Sequence, residues 1–156
     1  MQIFILRHGE AQARAARDEL RALTDKGRAE VRKVVTARRD ELEAVDTVWV
    51  SPLVRAQQTA NLALEVLGRS CLPQVTECLA PDADPKRLYT QLQACSVQSL
   101  LLVSHQPLVG TMVNQLCGLE PGHCKLSTGS LVLLETDIVA AGMAELLWAC
   151  HPADVA

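Results

Sequence analysis

The sequence predicts an α/β protein, a three-layer α/β/α sandwich built on a mostly parallel central sheet. Three observations carry that expectation. Short apolar or β-branched runs at 2–6, 47–51 and 99–103 alternate with longer segments of helical periodicity. The run Ser99-Leu100-Leu101-Leu102-Val103 is apolar almost throughout, as a strand covered on both faces must be. A chain of 156 residues is long enough to form a single domain over residues 1–156 and to bury a core without cross-links. With 49% hydrophobic but only 3% aromatic residues, that core has to be aliphatic.

Taken in order, residues 2–6 form a strand that stops at Arg7 and His8. After a polar loop, Thr24 or Asp25 caps a helix running to about Leu42, with Ala29, Val34 and Val35 among its inward positions. Residues 47–51 (TVWVS) are β-branched and aromatic, hence strand. Pro52 opens a helix to Leu67, and Gly68 stands where a terminating glycine belongs. A weak strand at 74–76 precedes Asp84 and Pro85, which cap and open a helix to about Cys95. The strand at 99–103 leads through Ser104 and His105 to Pro107 and a helix ending near Gly118. Strands at about 130–136 and 144–149 close the chain as a hairpin.

Composition excludes several classes. Net charge of −3 argues against general nucleic-acid binding. No apolar stretch approaches the roughly 20 residues of a membrane-spanning helix. Arg7, His8 and Glu10 interrupt the N-terminal apolar run too early for a signal peptide, so a cytoplasmic location is expected. The six cysteines contain no CxxC pair, and in such a location they are expected as free thiols. Cys117, His123, Cys124, Cys150 and His151 match no standard zinc spacing, and no metal is expected. Residues 11–40 hold nine Lys or Arg against five Asp or Glu. That excess reads as a solvated helix face or, more sharply, as a docking surface for an acidic or phosphorylated partner.

In open α/β sheets ligands bind beyond the carboxyl ends of the strands. Arg7 and His8 follow the first strand there, Arg55 sits in the first helical turn after the second, and His105 follows the central one. Two arginines and two histidines, distant in sequence, thus meet at one sheet edge, beside helix N-termini that favour anions. An arginine fork binds phosphate oxygens bidentately and keeps its charge. A histidine can attack phosphorus and form a covalent intermediate that water opens, while a second donates to the phosphoryl oxygens. Gly9 allows a tight backbone passage, and its carbonyl is placed to hold the attacking ring in one tautomer.

LRHGE at 6–10 resembles the signature of the histidine phosphatase superfamily, the phosphoglycerate mutase-like clan. LTDKG at 23–27, VSPLVRAQQTA at 50–60 and LLVSHQPLVG at 101–110 resemble three further elements of that superfamily, in its order. Within it, the compact length, the MQIFILRHGEA start and the segment SHQPLVGTMVNQLC are similar to the short SixA-type phosphohistidine phosphatases. The resemblance runs from Met1 to about Trp148. It implies a phosphoglycerate mutase-like fold, His8 as the nucleophile that becomes phosphorylated, and Arg7, Arg55 and His105 completing a phosphate pocket. It implies no cofactor, and action in signalling on a phosphohistidine-bearing protein such as a histidine phosphotransfer domain or a phosphotransferase-system carrier; nothing in the sequence demands more than a monomer.

Two departures from larger relatives bear on the substrate. The loops after Ser51, His105 and Leu67 are short, leaving little chain to enclose a sugar phosphate. Where ester-cleaving relatives carry an acidic general acid, this chain reads VTECLAPDAD, with Glu77 or Cys78 in the slot and Asp82 and Asp84 as further candidates. Without a carboxyl there, an alkoxide leaves poorly, whereas a protonated imidazole leaves readily. The alternatives are a small-molecule phosphomonoesterase or mutase, which needs that carboxyl, and a non-catalytic phosphoprotein-binding module, which has no use for His8.

Overall fold

The computed structural model describes residues 1–156. In chain order the elements are β1 (Gln2–Arg7), α1 (Asp25–Ala37), α2 (Arg39–Leu42), β2 (Thr47–Val50), α3 (Val54–Leu67), β3 (Gln74–Val75), α4 (Pro85–Ala94), β4 (Ser99–Ser104), α5 (Leu108–Leu116), β5 (Leu131–Glu135) and β6 (Glu145–Cys150). Short 3₁₀ turns occupy Asp18–Leu20, Glu77–Leu79 and Pro152–Asp154.

The strands form one sheet in the order β3-β2-β4-β1-β5-β6. β3, β2, β4 and β1 pair in parallel. β5 runs antiparallel to both β1 and β6, so it alone is reversed. Alternation along each strand builds two aliphatic layers. Phe4, Leu6, Val48, Val50, Leu101 and Val103 face α1, α2 and α3. Ile3, Ile5, Trp49, Leu100 and Leu102 face α4 and α5. The three-layer sandwich is therefore present, with β4 buried along its whole length.

Register places the chemistry. Arg7 stands opposite Ser104, and Val50 opposite Val103. The residues that follow these strands, His8, Ser51 and His105, consequently leave the sheet at the same level and on the same edge.

Several local expectations need correction. Ala29 is exposed; the buried positions of α1 are Gly27, Val31, Val34 and Val35. Those four follow the i, i+4, i+7, i+8 spacing of one helical face, and Ala29 falls on the opposite side. The helix does not run unbroken to Leu42 but breaks at Arg38 (φ −114°, ψ 23°), whose guanidinium lies 4.1 Å from the centre of the Trp148 ring. The helix after β2 begins at Val54, not Pro52, because Leu53 is still extended and donates its N–H to Ser51 Oγ (3.3 Å). Asp84 caps α4 as expected, through Oδ1 and the N–H of Lys86.

The loop after β1 crosses the first turn of α1 without room for a side chain. A Cβ on Gly27 would stand 2.2 Å from the Glu10 carbonyl oxygen, and one on Gly9 would stand 2.9 Å from that of Gly27. Thr24 locks the crossing: its N–H donates to the Glu10 carbonyl (2.9 Å) and its Oγ1 accepts from the N–H of Gly27 (3.0 Å). The glycines of RHG and LTDKG are thus two sides of one contact. Gly27→Ala is expected to destabilise the fold by about 1–3 kcal/mol through overpacking, whereas Ala29→Ser should stay within about 0.5 kcal/mol. Denaturant midpoints decide; equal effects would contradict the crossing.

Candidate active site

β1 delivers His8 to the sheet edge, and both neighbouring strands pin it there. The N–H of Arg7 donates to the Ser130 carbonyl and that of His8 to the Ser104 carbonyl, each at 3.0 Å. The His8 ring is buried at 7% exposure, with Nδ1 2.7 Å from the carbonyl oxygen of Gly9. A carbonyl only accepts, so Nδ1 carries the proton and Nε2 presents its lone pair. Gly9 is itself fixed by donating its N–H to Thr59 Oγ1 (3.1 Å), whose hydroxyl donates to the carbonyl of Arg55 (2.8 Å). Arg55 and Thr59 lie one turn apart on α3, so one helix face supplies a guanidinium and anchors the loop beside it.

His105, 2% exposed, lies against His8 with ring centres 4.9 Å apart and planes inclined at 55°. Its Nε2 is 2.7 Å from Ser51 Oγ. That oxygen accepts from the N–H of Leu53, and its hydroxyl can donate to Nε2. With that donation the proton of neutral His105 sits on Nδ1, a buried nitrogen with no acceptor in the protein.

Arg7 donates from Nη1 to the Leu126 carbonyl (2.7 Å), and Arg55, only 4% exposed, donates to Asp18 through Nη1 and Nη2. The Nε atoms of both arginines are buried without an acceptor. The structure therefore brings together all four residues singled out from the sequence. Between them they hold three unpartnered N–H donors and one ring nitrogen with a free lone pair, which suits a tetrahedral oxyanion.

None of the acid candidates is hydrogen-bonded or ion-paired to Arg7, His8, Arg55 or His105. Glu77, Asp82 and Asp84 are exposed, and Asp84 is engaged in capping α4. Cys78 packs among the aliphatic side chains under α4 and α5. The carboxylate that does reach the cluster is Asp18, on the short turn before α1. It bridges Arg55 (Nη2–Oδ2 3.3 Å) and Arg21 (Nε–Oδ1 2.9 Å). Asp18 and Arg21 were legible only as members of a charge-rich loop; no periodic pattern links a carboxylate to an arginine 37 residues away.

Electrostatics follow from burial and the guanidinium groups. Desolvation, with the positive charges of Arg55, Arg7 and Arg21, outweighs the Gly9 hydrogen bond and lowers the His8 pKa to about 4. Desolvation, then His8 and Arg55, lowers His105 to about 3. Both imidazoles are neutral at neutral pH. For Asp18, desolvation pulls upward, but Arg55 and the hydrogen bonds from Arg21 and Arg55 hold the carboxyl below its ordinary value. It is ionised, and cannot serve as a general acid.

The family model of the histidine phosphatase superfamily (branch 1) matches residues 3–80. The chain is 32% identical to the phosphohistidine phosphatase SixA of Escherichia coli (strain K12), over 99% of this chain and 96% of that protein. It is 33% identical to a phosphohistidine phosphatase SixA homolog of Haemophilus influenzae, covering 76% of this chain and 78% of the relative. A solved structure of the protein histidine phosphatase SixA complexed with tungstate superposes with a TM-score of 0.88 at 33% identity, covering 99% of each chain.

In the free protein, ¹⁵N spectra of the imidazoles are expected to show His8 as the neutral Nδ1–H tautomer, protonating only as the pH nears about 4. A titration centred near the ordinary value of about 6.5 would contradict the buried, guanidinium-flanked ring. The same shift couples to stability. The unfolded chain takes up the two protons first, so the stability held by the neutral pair is complete above about pH 6.5 and is lost as the pH falls toward the folded values.

Proposed function

The chain belongs to the histidine phosphatase superfamily, and from that premise we propose that it is a phosphohistidine phosphatase that clears phosphate from a protein histidine through a phosphorylated His8. The observation that carries the reading is the fixed His8 tautomer. With Nδ1–H committed to Gly9, the Nε2 lone pair is the free nucleophile, and no rotation or deprotonation is needed before attack.

Two displacements at phosphorus follow. In the first, Nε2 of His8 forms a bond to phosphorus as the bond to the substrate imidazole breaks; the departing ring leaves neutral because its other nitrogen carries a proton. In the second, a water oxygen attacks phosphorus, the bond to Nε2 breaks, and inorganic phosphate departs. Through both steps Arg7, Arg55 and the Nδ1–H of His105 donate to the equatorial oxygens, where the charge is spread. SixA crystallised with tungstate, an oxyanion of comparable shape, is consistent with such a pocket in a relative.

The substrate class rests on leaving-group chemistry. An ester needs an acid beside its leaving oxygen, and the carboxylate that contacts the cluster, Asp18, is held ionised by its guanidinium partners. An imidazole brings its own proton. The short loops around the site leave room for a phosphohistidine displayed on a protein, such as a histidine phosphotransfer domain or a phosphotransferase-system carrier, in the cytoplasm. No helix is long and apolar enough to cross a membrane.

Part of the basic segment is already paired: Lys26 with Glu10 and Glu30, Arg32 with Glu65 and Arg38 with Glu41. Arg14 and Arg17 are exposed in the loop that leads to Asp18, beside the site, and form the docking surface for an acidic partner.

Phosphate release from a phosphohistidine-bearing protein and from a sugar phosphate ester, without added metal, tests the reading. Wild type is expected to prefer phosphohistidine, and His8→Ala to lose activity by at least about a thousandfold. Preference for the ester would contradict it. Arg14→Glu with Arg17→Glu is expected to lower kcat/KM for the protein substrate while leaving free phosphohistidine unaffected; an equal loss on both would sink the docking role.

A further inference from the structure

Arg55 has five N–H donors arranged along two usable edges. The end edge, one N–H from each terminal nitrogen, is occupied by a single residue. Nη1 donates to the Asp18 main-chain carbonyl (3.0 Å) and Nη2 to Asp18 Oδ2 (3.3 Å). The side edge, Nε–H with the second N–H of Nη2, is left over, and Nε is buried with no acceptor in the protein.

Asp18 is in turn held from behind. Arg21 donates from Nε to Asp18 Oδ1 (2.9 Å), and from Nη1 to the carbonyl of Gln12 (3.1 Å). The result is a chain of contacts, Gln12 to Arg21 to Asp18 to Arg55, that ends on the guanidinium. The Asp18 side chain is 61% exposed while that of Arg55 is 5% exposed. The aspartate therefore meets a buried guanidinium from the solvent side.

We propose that Asp18 is a positioning residue: by taking both terminal nitrogens of Arg55 it turns the Nε–Nη2 edge toward the phosphoryl group and fixes it there as a bidentate clamp. The inference rests on the reading of the site as a phosphoryl-transfer centre. It differs from a general-acid role, which the neighbouring guanidinium groups deny to this carboxylate. Pre-orientation matters because a guanidinium that must rotate to meet the transferring group loses part of its stabilisation of the transition state.

The test uses wild type, Asp18→Ala, Asp18→Asn, Arg55→Lys and the double variant Asp18→Ala/Arg55→Lys, with tungstate binding by calorimetry, kcat and KM on a phosphohistidine-bearing protein, and Tm. Asp18→Ala is expected to weaken tungstate binding and lower kcat/KM by about tenfold each, the scale of one charge-assisted contact; Tm shows that the variant is folded at the assay temperature. Both variants keep the main-chain acceptor, but Asp18→Asn also keeps a side-chain oxygen and should recover part of the loss. In the Arg55→Lys background, Asp18→Ala should change binding by less than about twofold, since an ammonium has no edge to orient. Wild-type tungstate affinity in Asp18→Ala, or an undiminished loss in the Arg55→Lys background, would overturn the proposal. A wild-type protein that binds tungstate yet releases no phosphate from phosphohistidine would instead sink the proposed function, and the tungstate series would still judge Asp18.

Discussion

The position of Gly9 governs the rest of the site. Its carbonyl accepts from His8 Nδ1, its N–H donates to Thr59, and its Cα lies against the carbonyl of Gly27. One residue thereby sets the tautomer of His8, ties the loop to the helix that carries Arg55, and admits the first turn of α1 so closely that neither glycine can gain a side chain. Remove any one of these contacts and the other two lose their reference. The chemistry depends on a backbone position more than on any single reactive side chain.

Burial then does electrostatic work that exposed histidines could not do. Held away from water beside guanidinium groups, His8 and His105 remain neutral well below the ordinary imidazole range. The free site thus pairs permanent cations, Arg7 and Arg55, with neutral rings. A phosphoryl dianion meets positive charge and N–H donors on one side and an unprotonated nitrogen on the other, without a proton having to move first.

Much of this was readable in the chain because strand ends in an open α/β sheet have a known destination. Arg7, His8, Arg55 and His105 each follow a strand whose hydrophobic pattern is plain, so placing the strands placed the residues. Gly68 and Asp84 were readable for local reasons, a left-handed terminus and a side-chain cap. What escaped depends on contacts between distant segments. Ala29 is apolar but sits between the buried positions of its helix, and propensity carries no information about which side faces the sheet. The break at Arg38 accompanies a ring contributed by Trp148, from the last strand. Asp18 belongs to a loop without periodicity, and its partner is on another element. The antiparallel pairing of β5 with β6 was legible as the final hairpin, but not which of the two runs against the rest of the sheet.

Trapping the intermediate tests the central claim most directly. Wild-type protein mixed with a phosphohistidine-bearing protein and quenched in alkali within the first turnover should carry one phosphoryl group, located by peptide mass spectrometry on His8 and discharged by acid. The account predicts that adduct, with none in His8→Ala. Phosphate release with no phosphorylated His8 at any quench time, or an adduct on His105 instead, would contradict it.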